Sequence, residues 1–363
     1  MRILVHEFVS GGGLAGRDVP ASLAREGSAM LTALVADLAS IRGHQIVTTV
    51  DPRFPLAVPP GVEVVPLSPG KGRSPALLDA VIASADAVWL VAPETDRCLE
   101  RLAARVERKG KTLLGSGAAA ISRASDKAGL PRRLARHGVA HPKTRVIDPR
   151  RPDEDWKADW KTAALELGYP LVVKPARGAG CKGVCLARNR RELRDALDMA
   201  LRTNGRGPLL LQRYVPGVAA SVSLLGDGRR AVALTVNAQS VRTSMPFSYR
   251  GGKTPLDHPL AWKAVETALR TCRALPGLRG YIGVDVVLTE SEAVVIEVNP
   301  RLTTAYVGVR AALGGNIGTI GNVAAMALAA CAGSLPVPPP ARFSVRFTAA
   351  GRIVSTTWRN EEL

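Results

Sequence analysis

Over its first 115 residues the chain alternates short apolar runs with longer segments of helical period, a rhythm that admits few folds. Strands are expected over 3–5, 45–50, 62–65, 87–91 and 112–114, and helices over 21–41, 76–84 and 96–107. In the first of these helices Leu23, Met30, Leu31, Leu34 and Leu38 recur at helical spacing. Such alternation implies a mostly parallel sheet covered by helices, ending near residue 115.

The rhythm then changes. A helix is expected over 125–137, with Ser125 or Asp126 near its start, and a charge-rich, proline-containing passage runs to about residue 161. A smaller module follows, with strands over 171–174, 184–187 and 209–214 and a helix over 191–201. Gly226-Asp227-Gly228 joins strands 220–225 and 231–238 as a hairpin. Beyond a loop rich in Gly and Pro come a helix over 262–272, strands over 281–288 and 293–298, and a helix over 322–332. Prolines at 336–340 precede a tail over 336–363 that reads as a hairpin. The fold class is therefore α/β followed by α+β: an N-terminal unit over 1–115, a main unit over 116–335 with a smaller lobe at about 140–215, and the tail.

With 46% hydrophobic and 22% charged residues, the 363-residue chain can bury a full core, and disorder is excluded as its main state. The 49 basic and 31 acidic residues leave a net charge of +18, which favours polyanions and makes a nucleic-acid partner one reading to weigh. Phosphorylated small molecules fit equally well. The arginines are scattered along helices, without aromatic interleaving or a nucleic-acid motif, so solvated faces are the better reading. The five cysteines contain no Cys-x-x-Cys pair, which argues against a disulfide framework and a structural zinc site and for a reducing cytoplasm. Charge arrives too early for a signal peptide, and the apolar run 323–331 is too short to span a bilayer, so no membrane partner is expected.

Gly11-Gly12-Gly13-Leu14-Ala15-Gly16 satisfies G-x-G-x-x-G after a strand and raises a dinucleotide-binding alternative, that of a nicotinamide-dependent oxidoreductase. Asp18, Val19 and Pro20 separate its last glycine from the helix, and the acidic candidate, Asp51, lies far downstream. A flexible turn or a backbone-lined anion pocket is the better reading. Glu7 and Ser10 beside it are candidates for binding a polar substrate, or are exposed turn residues.

A second constellation begins at Val172-Val173-Lys174-Pro175, an apolar strand that ends in a fixed cation. The following Arg177-Gly178-Ala179-Gly180-Cys181-Lys182-Gly183 lets backbone N–H groups approach an anion before the chain returns as a strand. This is a phosphate cover lacking the order of a Walker loop; a glycine-rich hairpin with a solvated lysine is the alternative. On later strands, period-two alternation sends Asp285 to one face and puts Glu297 and Asn299 together on one face of the next. Three oxygen donors so placed suit Mg²⁺, with Mn²⁺ a substitute. Alternatively the two carboxylates accept from nearby N–H groups, but a glutamate inside Val-Val-Ile-Glu-Val is costly without a partner.

In their order along the chain, Ser125-Asp126-Lys127, Val-Val-Lys174-Pro with its glycine loop, Gln212-Arg213-Tyr214-Val215-Pro-Gly, Gly283-Val-Asp285 and Glu297-Val-Asn299-Pro-Arg301 resemble the ATP-grasp superfamily of carboxylate–amine ligases. The resemblance covers roughly residues 116–335, and the N-terminal unit matches the pre-ATP-grasp domain that precedes a two-lobed ATP-grasp fold. It implies ATP as the nucleotide, with Lys127 and Lys174 on its phosphates and the loop from Arg177 through Gly178 and Gly180 to Gly183 closing over them. Gln212, Arg213, Tyr214 and Val215 would run along the adenine, Asp285, Glu297 and Asn299 would hold one or two metal ions, and Arg301 would steady the acyl phosphate or the tetrahedral species. The sequence departs from the family at the acidic adenine contact, represented by Gln212 or Arg213, and at the acidic ribose contact, which falls near Ala219 and Ala220.

The chemistry follows from charge. A carboxylate resists amines because oxide would have to leave; transfer of the terminal phosphoryl group of ATP creates an acyl phosphate that can. Two charges 4 Å apart interact by about 4 kcal/mol at an effective dielectric near 20, so two lysines, an arginine and a metal ion stabilise that transfer substantially. The start, His6-Glu7-Phe8-Val9-Ser10-Gly11-Gly12-Gly13, is similar to tyramine–glutamate ligases of methanofuran biosynthesis and their methylofuran-pathway relatives. That similarity implies a glutamate γ-carboxylate, an amine such as tyramine or tyrosine, and substrate contacts among Glu7, Ser10, Gly11, Gly12, Gly13, Arg242, Tyr249 and Lys253. A homodimer is compatible with this reading.

Overall fold

The computed structural model describes residues 1–68, 73–314 and 321–359, so the last four positions of the expected tail lie outside the described residues. Three sheets organise them. The first is parallel, with strands β1 (Arg2–Glu7), β2 (Gln45–Val50), β3 (Glu63–Pro66), β4 (Ala87–Val91) and β5 (Thr112–Leu113) in the order β3-β2-β1-β4-β5. Helices α1 (Ala21–Ala39), α2 (Arg73–Ser84) and α3 (Cys98–Arg108) accompany it, and β1 and β4 are buried almost throughout, as strands covered on both faces must be. The strand order reverses between β1 and β4, which opens a crevice at their carboxyl ends.

The single helix expected over 125–137 is instead two, α4 (Ala118–Ser125) and α5 (Leu130–Ala135). Asp126 leaves the helical region at φ −80°, ψ 79°, and its carboxylate accepts from the Gly129 N–H at 3.0 Å and from Arg133 at 3.0 Å. An aspartate that bonds its local backbone competes with helix, and the resulting turn carries Lys127.

The second sheet is a small antiparallel lobe of β6 (Thr144–Ile147), β7 (Leu171–Pro175), β8 (Cys185–Ala187) and β9 (Leu209–Arg213), ordered β6-β9-β7-β8, with α6 (Asp153–Leu167) and α7 (Arg190–Asn204). Here α6 occupies the passage read as a charge-rich connector: Trp156, Trp160, Ala163, Ala164 and Leu167 form its buried stripe. Asn189 caps α7, accepting from the Glu192 N–H at 3.0 Å. The lobe has its own apolar core, including Ile147, Trp160, Leu193 and Leu211.

The third sheet is antiparallel: β10 (Val218–Asp227), β11 (Ala231–Arg242), β12 (Ser248–Thr254), β13 (Arg279–Leu288), β14 (Ala293–Asn299), β15 (Phe343–Thr348) and β16 (Ile353–Trp358), ordered β14-β13-β10-β11-β12-β15-β16. Strand β12 lies where a Gly- and Pro-rich loop was expected. Its Gly251, at φ +120°, lets β15 come so close that a Cβ would meet the Phe347 carbonyl oxygen at 2.0 Å. Val222, Leu224, Ile282 and Val284 pack with α8 (Ala261–Ala274). The opposite face shares one core with α9 (Ala305–Ala312), α10 (Val323–Cys331) and the N-terminal unit, joining Ile3, Leu34, Leu225, Tyr306 and Ala327. Asp37 on α1 seals that junction, accepting from Tyr306 at 2.6 Å and from Arg310 at 2.6 Å.

Candidate active site

The site grows from the hairpin of β13 and β14. Register places Asp285 directly opposite Glu297 and Gly283 opposite Asn299, so alternation brings the three polar side chains to one face. Asp285 accepts from Gln239 of β11 at 2.9 Å and from the Asn299 amide at 3.2 Å. Lys127, delivered by the turn after α4, lies 2.6 Å from Glu297. Lys174, at the end of β7, is buried and donates to the Ile296 carbonyl at 3.4 Å. The two lysines and the two carboxylates therefore meet across the gap between the small lobe and the large sheet.

Their charges are interdependent. Burial works against the Lys127 ammonium, but Glu297 beside it more than compensates and holds its pKa above the ordinary value. Burial and the neighbouring Lys127 bring Lys174 down to about 8. Although burial disfavours its charge, Glu297 is drawn down to about 2 by Lys127 and Lys174. Asp285 moves the other way, pushed up by burial and then by Glu297.

This donor set fits a divalent cation. Asp285, whose charge is disfavoured by burial and by Glu297, is short of positive charge, and the Asn299 carbonyl oxygen, whose amide nitrogen is turned to Asp285, has no donor among the described residues. All the donors are oxygens, as a hard ion requires. Among the described residues no cluster of three or more His, Cys, Asp or Glu suited to a metal occurs.

The glycine loop turns through left-handed conformations at Gly180 (φ +69°), Cys181 (φ +59°) and Gly183 (φ +72°). Arg177 at its start keeps a buried guanidinium nitrogen with no hydrogen-bond partner among the described residues. The Cys181 thiol lies among the lysines and carboxylates, and burial pushes it up to about 12, so it is no nucleophile. Arg213, Tyr214 and Val215 line an open cavity of about 630 Å³ with Lys143, Pro216 and Val294. Gln212 is buried in the small lobe, its amide donating to Thr144 at 2.8 Å.

Arg301, just past β14, forks onto Glu94 with two contacts of 2.9 Å. Glu94 follows β4 at the carboxyl end of the parallel sheet, where such sheets place ligand groups; that position was its only signal in the sequence. Gln239, and Glu26 of α1, which accepts from Thr304, likewise escaped the sequence reading.

The remaining expected substrate contacts divide. Tyr249 pairs with Val241 across β11 and β12 and is close enough to Asp285 and Glu26 for their charges to act on its hydroxyl. Arg242 is exposed, and Lys253 turns to Asp257 at 3.3 Å. Glu7 is buried, accepting from the Val9 and Ser10 N–H groups at 3.0 and 2.6 Å and from the Ser10 hydroxyl at 2.6 Å. The triple glycine lies in a π-helical turn, Val9–Gly13, whose Gly11 and Gly12 pack inward while Gly13 is exposed, rather than in a flexible turn or open anion pocket: a Cβ on Gly11 would meet Thr49 at 2.9 Å and one on Gly12 would meet Leu67 at 2.4 Å. Helix α1 starts only at Ala21, and Asp51 is buried against Arg53, with contacts of 3.0 and 2.7 Å, so neither part of a dinucleotide fingerprint is in place.

Comparison with known proteins gives the family. Residues 44–121 match the family described as pre ATP-grasp 3 domain, and residues 124–305 match the ATP-grasp domain. The chain is similar to D-alanine–D-alanine ligase of Gloeobacter violaceus, at 30% identity over 263 residues covering 69% of this chain and 83% of that protein. It is similar to tyramine–L-glutamate ligase of Methanocaldococcus jannaschii at 33% identity over 101 residues, covering 28% of this chain and 32% of that enzyme. A crystal structure of an ATP-grasp superfamily protein from Archaeoglobus fulgidus superposes with a TM-score of 0.67 at 25% identity, covering 95% of this chain and 92% of the other. The chain belongs to the ATP-grasp family, with the paired pre-ATP-grasp and ATP-grasp domains of ADP-forming ligases that join a carboxylate to an amine.

Proposed function

We propose that this enzyme activates the γ-carboxylate of glutamate and joins it to tyramine or tyrosine, in a pathway of the methanofuran or methylofuran type. The observation that carries the ligase chemistry is the meeting of Lys127 and Lys174 with Asp285 and Glu297 across one gap. The glutamate and tyramine assignment is supported by the His6–Gly13 segment and by the similarity to tyramine–L-glutamate ligase.

Lys127 and Lys174 bind and orient the phosphates of ATP, and Arg177 supplies that guanidinium nitrogen to the same anion. Asp285, Glu297 and Asn299 would hold Mg²⁺ or Mn²⁺, which when bound would neutralise phosphate charge. The glycine loop covers the reacting groups and keeps water from the acyl phosphate. Arg301, anchored by Glu94, faces the oxygen charge that develops when the amine attacks. Tyr214 and Val215 border the adenine through the cavity they line. We place the enzyme in the cytoplasm, consistent with the absence, among the described residues, of any helix long and apolar enough to cross a membrane.

An ADP-release screen of amino acids against tyramine, tyrosine and D-alanine, with and without Mg²⁺, tests the assignment. D-alanine is included because the longer match to D-alanine–D-alanine ligase favours, as a second reading, ligation of two amino acids. AMP as the nucleotide product contradicts the chemistry. Glu297→Ala is expected to lower turnover by at least about a thousandfold because it removes a metal oxygen, and to lower the thermal midpoint as well because it leaves the largely buried Lys127 ammonium without its partner, so a circular-dichroism spectrum at the assay temperature accompanies the kinetics; unchanged turnover removes Glu297 from the mechanism.

A further inference from the structure

The carboxylates around the gap are nearly all satisfied. Glu297 has Lys127, Glu94 has the Arg301 fork, and Glu7 takes three donors from its own turn. Asp285 has two amide donors and the expected metal. Glu26 differs: among the described residues its only hydrogen-bond donor is the neutral hydroxyl of Thr304. Of the carboxylates named here, Glu26 is thus the least satisfied, with one neutral donor and no ion pair among the described residues.

The surroundings of Glu26 define what it would accept. Thr304, three residues beyond Arg301, presents its hydroxyl, and Tyr249 lies near enough for the Glu26 charge to act on it. The Tyr249 hydroxyl has no hydrogen-bond partner among the described residues, and burial pushes its pKa up, so it stays neutral. The charge of Glu26 also reaches Arg301, whose own charge is met by Glu94. A carboxylate and two hydroxyls match a primary ammonium, which has three donors and one positive charge. They do not match a phosphate or carboxylate, which Glu26 would repel; the cationic groups for those lie with Lys127 and Lys174.

We infer that Glu26, with Tyr249 and Thr304, forms the subsite that recognises the ammonium group of the amine substrate. The assignment rests on the ligase reading and deepens it. Its position beside Arg301 puts the amine nitrogen next to the place where the acyl group would be attacked. Glu26 acts here in recognition, gathering the protonated form in which an alkylamine of pKa about 10 arrives near neutral pH; one proton must then pass from the nitrogen, to the Glu26 carboxylate or to solvent, before its lone pair can attack.

Steady-state kinetics with the purified full chain test this, using whichever of tyramine, tyrosine and D-alanine supports turnover. Glu26→Gln should raise the amine KM at least tenfold and leave the ATP KM within twofold of wild type. Thr304→Val, which removes a hydroxyl but no charge, should raise the amine KM by less than fivefold. The alcohol analogue of the amine, tyrosol in place of tyramine, should inhibit wild type only at concentrations well above the amine KM, and this gap should close in Glu26→Gln. If Glu26→Gln fails to fold, Glu26→Asp replaces it, with an amine KM expected above wild type at an unchanged ATP KM. Amine-dependent turnover with an amine KM untouched by the Glu26 variant overturns this assignment alone. Wild-type ADP release that ignores every amine, or no release at all, overturns the ligase reading and this assignment with it.

Discussion

Lys174 is poised between two opposed influences: burial and Lys127 disfavour its proton, while the carboxylates across the gap favour it. With its pKa brought down to about 8, the free enzyme loses this cation as pH rises through that value, and with it part of its hold on phosphate. The expected result is a kcat/KM for ATP that falls above about pH 8, an alkaline limb that Lys174→Arg removes because guanidinium keeps its charge. A pH profile of both proteins checks this. Lys174, Asp285, Glu297 and Asn299 were legible in the sequence because a polar residue at the end of an apolar strand is costly without a purpose, and alternation says which face it takes. Glu94 and Glu26 were not, because they meet Arg301 and Thr304 across separations of 207 and 278 residues that no local pattern encodes.

At the scale of elements, what could be read followed periodicity. The strands and helices of the parallel sheet repeat cleanly, and so do β13 and β14. Helix α6 carried its signals, three acidic residues in the first turn after Pro152 and two tryptophans four apart, but its many charges hid them. Strand β12 was illegible for the opposite reason: Gly251 and Gly252 suggest a loop, yet they are there because β15 and Phe347 crowd the strand. The same principle governs the π-helical turn after β1. Gly12 sits at φ +92° with Leu67 against it, so Gly12→Ala should lower the unfolding free energy by about 1–3 kcal/mol, measured by chemical denaturation. A loss below a few tenths of a kcal/mol would mean that the turn relaxes freely.

Across the whole molecule, the parallel sheet and the large antiparallel sheet share one apolar core, with Asp37 holding Tyr306 and Arg310 at the junction. Asp37→Ala strands a largely buried arginine and should cost about 3 kcal/mol. Because the core is common, the loss should appear as an earlier single transition rather than as separate melting of the N-terminal unit; two resolved transitions in calorimetry would contradict this. The overall architecture was legible as a change of rhythm near residue 115, but the shared core was not, since it depends on how faces from distant segments pair. The small lobe stands apart, with an apolar interior made wholly of its own residues. That independence makes it transplantable. A chimera carrying a relative's version of this lobe would inherit a new glycine loop, the proposed phosphate cover, while keeping the proposed substrate-facing residues of the other units, so evolution could retune turnover and selectivity in separate steps.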